Sequence, residues 1–193
     1  TLSWYGYILG KFADAYLDLP TRPEPVEEFL AGVGGTQDTR HGYYRALKAF
    51  YRFTAERRRM VNHIVTVRIR SPKPKAVRTL ELAEIAFMLS NVETKRERAL
   101  LTLLLDTGIR IGEAAGLGPG DIGSSSIWVE GKTGGREVPI SDETRRLLDG
   151  LGDDKHVFVG RWGALTRSGL YRIVSLALTS AGISGPRRGP HVL

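Results

Sequence analysis

Residues 107–117 read TGIRIGEAAGL, and this stretch predicts a break between two helices. Gly108 ends a helix predicted over Arg96–Asp106, and a second helix is predicted to begin near Arg110. Glu113 follows three residues later, one turn along the same helix face, where its carboxylate can hold the Arg110 guanidinium. Exposed backbone amides at a helix start and a planar guanidinium together favour binding of an anion. An ordinary surface ion pair between the two side chains is the alternative interpretation.

A β-hairpin is predicted to follow. Ile127 and Val129 alternate with polar residues in a strand over Ser126–Glu130, and a partner strand is predicted over Arg136–Ile140. Lys132 stands at the tip of this hairpin, beside a glycine-rich turn that would let its side chain reach a neighbouring site.

The segment 130–140, EGKTGGREVPI, also contains the Gly-Lys-Thr sequence of a phosphate-binding loop. That motif requires a glycine where Ser126 stands, and it requires a helix after the lysine, whereas a strand is predicted there. We therefore reject an ATPase interpretation of this segment.

Helical patterns surround the hairpin. They cover Leu80–Leu89 before it and Thr166–Ala181 after it, and a further short strand is predicted over His156–Val159. The second part of the chain is therefore expected to be mostly helical, with a small antiparallel sheet.

Positive charge is concentrated in one block of the sequence. Residues 40–75 hold 11 basic and one acidic side chain, a net charge of +10, while the whole chain carries +7. On a helix predicted over Gln37–Arg59, no acidic residue interrupts the basic face, and aromatic and aliphatic residues occupy the opposite face. This favours a surface for the phosphate backbone of a nucleic acid, with a merely solvated face as the alternative. The basic face consists of His41, Arg45, Lys48 and Arg52.

The remaining sequence features predict two domains. Residues 1–70 are expected to form a small helical domain, with helices over Trp4–Leu19 and from Pro25 onwards. Residues 71–78 are expected to form a linker, and residues 79–193 a second domain, which the abrupt end of the chain would leave incomplete at its C-terminus. The proline- and lysine-rich segment at the boundary cannot continue a helix, and its charge would let it lie along DNA. The two lysines of that segment are Lys73 and Lys75.

Composition excludes several classes of function. The 193 residues contain no cysteine, so disulfides and cysteine-ligated metals are excluded. The longest apolar stretch is far too short to span a bilayer, and the first residues lack the basic segment of a signal peptide. The sequence indicates no metal and no cofactor, and we expect a cytoplasmic protein.

The chain ends in GPHVL, residues 189–193, which contain His191. Together with the segments around Arg110 and Lys132, this order of motifs resembles the tyrosine recombinase (phage integrase) family, in particular its Xer-like members. The resemblance implies a helical SAM-like core-binding domain that binds DNA, followed by a mostly helical catalytic domain with a small antiparallel β-sheet. It also implies catalytic roles for Arg110, Lys132 and His191, with Glu113 bracing the arginine.

The resemblance further implies a reaction and partners. Members of the family cut and rejoin double-stranded DNA through a 3′-phosphotyrosyl intermediate, without metal or nucleotide, and they act as tetramers on DNA. In this sequence the second family arginine would be residue 194, and all seven tyrosines precede His191. The chain as given is therefore expected to be inactive. A non-catalytic DNA-binding relative is the alternative, and a type IB topoisomerase is a more distant one.

Overall fold

The chain divides into two units, with the boundary between residues 75 and 76. A computed structural model describes residues 2–58, 61–73, 79–131 and 134–183.

Three helices build the described part of the first unit. They are α1 (Leu2–Ala15), α2 (Pro23–Gly32) and α3 (Gln37–Arg58), and a single 3₁₀ turn (His63–Val65) follows them. The predicted end of the first helix is wrong, because α1 stops at Ala15 rather than at residue 19. Proline at position 20 disfavours a helical conformation for Leu19, so the predicted last residue is excluded from the helix. The second helix begins at Pro23, two residues earlier than predicted.

Helix α3 begins as the sequence predicts. The backbone N–H of Thr39 donates to Oγ1 of Thr36 at 3.3 Å, which satisfies one of the free amides at the helix start. One face of α3 then packs into the core of the first unit. Phe53, near the end of the same helix, is 55% exposed and does not join this core. The buried residues of this core are Ile8, Phe12, Val26, Leu30, Tyr43, Ala46, Leu47, Tyr51, Ile64 and Val67.

The second unit is mostly helical. Its helices are α4 (Leu82–Ser90), α5 (Lys95–Thr107), α6 (Ile111–Gly116), α7 (Asp142–Leu148) and α8 (Arg167–Ser180), with a 3₁₀ turn at Pro119–Asp121.

Helix α5 lies at the centre of this unit. Five of its residues are almost completely buried, on more than one side of the helix, so neighbouring elements surround it: Ala99, Leu100, Leu101, Leu103 and Leu104. A helix with apolar residues around most of its circumference is stable only when it is enclosed in this way.

An antiparallel hairpin packs beside α6. Strand β1 (Ser126–Gly131) pairs with β2 (Gly134–Pro139) in a register that places Val129 opposite Arg136 and Ile127 opposite Val138. The side chains of Ile127 and Val129 are buried in the core of the second unit.

The predicted strand over residues 156–159 is wrong in position. A second, very short hairpin pairs β3 (Val159–Gly160) with β4 (Gly163–Ala164). Val157 and Phe158 are buried, and the N–H of Val157 donates to the carbonyl of Leu117 at 2.9 Å. Their apolar character reflects burial in the core, which the sequence pattern does not distinguish from strand pairing.

The prediction of a mostly helical chain with a small antiparallel sheet is confirmed. Within the described ranges, no helix combines the length and the apolar character that a membrane crossing requires.

Candidate functional site

Arg110 lies at the junction between α5 and α6. Gly108 adopts a left-handed conformation with φ of 62°, and its N–H donates to the carbonyl of Leu104 at 2.9 Å, which ends α5. Ile109 is buried, and Arg110 then occupies the N-cap position of α6 with an extended backbone. The Arg110 side chain is 74% exposed. The glycine break therefore presents a guanidinium to solvent at the start of a helix.

Glu113 is the buried acid beneath this arginine, with its side chain only 5% exposed. Its Oε2 accepts the backbone N–H of Arg110 at 2.8 Å, and its Oε1 accepts Nη1 of Arg110 at 3.1 Å. The predicted contact between the two side chains is therefore present in the structure. The same carboxylate also satisfies a backbone amide at the start of α6, which fixes the backbone of Arg110.

A second guanidinium, from Arg136 of β2, reaches the same carboxylate. Nη1 and Nη2 of Arg136 donate to Oε1 and Oε2 of Glu113 at 3.0 and 2.9 Å. The sequence pattern alone did not single out Arg136 as a site residue. A signal was present, because Arg136 precedes Val138 by two residues and so lies on the same, inward face of the strand.

Gly131 makes room for this ion pair at the end of β1. A Cβ atom at this position would lie 3.0 Å from Oε1 of Glu113 and 3.2 Å from Nη1 of Arg136. Both distances are shorter than most Cβ contacts, so a side chain at this position would require the ends of both charged groups to shift by a few tenths of an ångström. The glycine before the hairpin tip is therefore part of the site.

The surroundings of Glu113 stabilise its charged form. The hydrogen bonds from Arg136, followed by those from Arg110, lower the pKa of Glu113 from 4.5 to about 2 in spite of its burial. The same carboxylate raises the pKa of Arg136. Two guanidinium groups and one carboxylate leave this cluster with a net charge of +1.

The basic face of α3 also forms as predicted in outline. Arg45, Lys48 and Arg52 are exposed and His41 is half-buried. The Nζ of Lys48 lies 5.7 Å from the centroid of the Tyr44 ring, and this cation–π contact helps to hold the lysine side chain at the basic face.

The other predicted site residues divide into two groups. Lys73 is described and exposed. Lys75, Lys132 and His191 lie outside the described residues. Within the described part of the chain, no three His, Asp or Glu side chains come together in a way that could hold a metal ion.

The cluster around Arg110 is suited to binding a tetrahedral oxyanion. An exposed guanidinium presents several N–H donors in one plane, which matches two oxygens of a phosphate group. Because the backbone of Arg110 is already fixed, less conformational freedom is lost when this residue binds an anion.

Comparison with known proteins identifies the family. Residues 78–193 match the phage integrase family. Because this match covers more than half of the chain, the protein belongs to the phage integrase family. No curated protein matches the sequence.

Solved structures share the fold at low sequence identity. The structure of λ integrase (residues 75–356) bound to DNA is 20% identical with a TM-score of 0.74, covering 98% of this chain and 73% of that one. The XerH recombinase bound to its difH substrate before cleavage is 21% identical with a TM-score of 0.70, covering 98% and 64%. An integrase from mycobacterium phage Brujita is 23% identical with a TM-score of 0.53, covering 89% and 61%. The chain thus spans between 61% and 73% of these proteins, and the predicted recombinase fold is confirmed.

Acid should weaken the second unit through Glu113. The unfolded chain takes up the proton near the ordinary pKa of 4.5, whereas the folded protein resists protonation until about pH 2. The stabilisation is therefore complete above pH 4.5 and is lost as the pH falls through about 2. We expect a loss on the order of 1 to 3 kcal/mol in the free energy of unfolding, measured by urea denaturation at several pH values. Glu113→Gln should show a flatter pH dependence, and parallel curves for the two proteins would contradict this assignment.

Proposed function

We propose that this protein is a site-specific DNA recombinase or integrase that cuts and rejoins DNA through a 3′-phosphotyrosyl intermediate. The observation that carries this proposal is the exposed Arg110 held over the buried Glu113 in a chain of the phage integrase family. The DNA-bound structures of λ integrase and XerH, which share the fold, support it.

The proposed reaction exchanges one phosphoester bond for another. The hydroxyl oxygen of a tyrosine attacks the scissile phosphorus, the bond from phosphorus to the 5′-oxygen breaks, and the 5′-oxygen leaves as a hydroxyl after taking up a proton. Attack by another 5′-hydroxyl on the phosphotyrosyl bond reverses these changes and rejoins the strand. Because each step conserves the number of phosphoester bonds, the cycle needs no ATP.

Arg110 stabilises the charge that develops on the non-bridging phosphate oxygens. Phosphoryl transfer depends mainly on positioning and on electrostatic stabilisation, and a guanidinium is always charged and matches the geometry of phosphate. Glu113 does not touch the phosphate in this proposal. It acts by holding both the backbone and the side chain of Arg110.

Lys132 and His191 are the other catalytic residues proposed for this chain. Lys132 donates the proton to the leaving 5′-oxygen, and His191 hydrogen-bonds the phosphate and assists proton transfer from the tyrosine. Both residues lie outside the described ranges, so their roles rest on the match of their motifs to the family.

The basic face of α3 is the proposed surface for the DNA backbone. From His41 to Arg52 the face extends over about 16 Å along the helix, long enough to follow several phosphates. Lys73 and Lys75 would add contacts where the linker crosses the duplex. In this proposal residues 1–70 are the core-binding domain, residues 71–78 the linker and residues 79–193 the part of the catalytic domain that this chain contains.

The proposed assembly is a tetramer on DNA in the cytoplasm. λ integrase, which shares the fold, forms a tetramer bound to a Holliday junction. Exchange of strands between two duplexes requires four cleavages, which a tetramer supplies with one site for each strand.

Charge reversal on the basic face tests the binding surface. The triple variant Arg45→Glu, Lys48→Glu and Arg52→Glu should weaken duplex binding strongly. The slope of log K against log salt should decrease by about 0.9 for each phosphate that the variant no longer binds. Arg22→Glu, at an exposed position of the same unit, is a control that should leave the slope unchanged. A folded triple variant with the slope of the unmodified chain would exclude this surface.

Two single substitutions separate the proposed catalytic roles, in a protein that carries these residues together with a nucleophilic tyrosine. Arg110→Ala should reduce strand cleavage by about 10²- to 10³-fold. It should lower the salt slope of duplex binding by only about 0.9, because it removes the interaction with a single phosphate. Lys132→Ala should be rescued by a substrate with a 5′-bridging phosphorothiolate, since a thiolate leaves without needing a proton.

The same modified substrate should not rescue Arg110→Ala, whose defect lies in the charge on the phosphate oxygens. Equal rescue of both variants, or of neither, would show that Lys132 is not the general acid. Lys132 would then be assigned to binding in the DNA groove.

The 193-residue chain by itself is expected to form no covalent adduct with a nicked suicide DNA substrate. None of its seven tyrosines matches the nucleophile of the family. A protein–DNA band that survives denaturation would show that one of them serves after all. If the natural protein also forms no adduct but still binds duplex DNA, the non-catalytic DNA-binding alternative is favoured.

A further inference from the structure

The carboxylate of Glu113 is shared unequally between its two arginines. Arg136 directs two guanidinium nitrogens at it, one to each oxygen, at 3.0 and 2.9 Å. Arg110 uses one guanidinium nitrogen, at 3.1 Å, and otherwise contributes a backbone N–H. Arg136 is therefore the principal ionic partner of the acid, and most donors of the Arg110 guanidinium remain unused by it.

The exposure of the two side chains follows the same division. The Arg110 side chain is 74% exposed and that of Arg136 is 44% exposed. One guanidinium is sufficient to balance one carboxylate. The surplus positive charge of the cluster therefore lies on the side chain that projects furthest into solvent, which is Arg110.

We propose that Arg136 is a positioning residue that neutralises Glu113 and thereby leaves Arg110 free to bind a DNA phosphate. This inference rests on the proposed function of Arg110. Without Arg136, both oxygens of Glu113 would be available to a single guanidinium, and carboxylates prefer to pair with arginine in a bidentate manner. Arg110 would then turn towards the acid, and the net charge of the cluster would fall from +1 to 0.

The hairpin holds Arg136 in the orientation that this role requires. Arg136 lies opposite the buried Val129, so its side chain begins on the inward face of the hairpin. Gly131 leaves space beside the ion pair, because no side chain at that position crowds Oε1 of Glu113 or Nη1 of Arg136. Arg136 is thus directed inward to the acid by strand geometry, whereas Arg110 is directed outward from a helix start.

The test measures duplex DNA binding by this chain as a function of salt. Arg136→Met should lower the slope of log K against log salt by about 0.9, the value for one bound phosphate, although Arg136 itself touches no phosphate. Adding Glu113→Gln to that variant should restore the slope, because the acid that captured Arg110 is then neutral. Arg145→Met, which removes the partner of Asp149 in another ion pair of the same unit, is the matched control and should leave the slope unchanged.

The double variant keeps the experiment informative if the single variant Arg136→Met misfolds. It contains no uncompensated buried carboxylate, so it should fold even if Arg136→Met does not, as thermal unfolding would show. If its slope is that of the unmodified chain, the inference is supported. If its slope stays below that of the unmodified chain, Arg136 binds phosphate directly and the inference is wrong.

The outcome for Arg110→Ala separates this inference from the proposed function. If Arg110→Ala lowers the slope and a folded Arg136→Met does not, only the inference about Arg136 fails. If Arg110→Ala leaves the slope unchanged, Arg110 holds no phosphate, and both its proposed role and the inference fail.

Discussion

One buried carboxylate, that of Glu113, links three parts of the second unit. Glu113 connects a helix start, an exposed arginine and a strand of the hairpin through four hydrogen bonds. Burial of an acid without partners is costly, and removal of one partner from a buried ion pair destabilises a protein strongly. The position of α6 relative to the hairpin is therefore constrained by charge as well as by the apolar contacts of Ile127 and Val129.

The fold was largely predictable because its main signals are local. Gly108 and the residues after it carry the helix break, and Thr36 carries the start of α3. The errors arose where tertiary contacts decide the structure. Val157 and Phe158 look like strand residues because they are apolar and branched or aromatic, yet the core buries them without pairing them in a sheet.

In the candidate site, only the contact between residues close together in the sequence was predictable. The contact between Arg110 and Glu113 follows from a spacing of three residues on a helix. Arg136 is 23 residues from Glu113, and no local pattern joins them. Its alternation with Val138 placed it on the inward face of a strand, but the hairpin had to be docked on α6 before a partner for it became evident.

Because Glu113 stays ionised down to about pH 2 and guanidinium groups do not lose their proton in proteins, the cluster carries the same charge in mildly acidic and alkaline surroundings. An anion bound at Arg110 therefore experiences the same positive electrostatic field in either case. Mild acidification therefore leaves the charges of Arg110, Arg136 and Glu113 unchanged. Any pH dependence of anion binding there must therefore come from titrating groups outside this cluster.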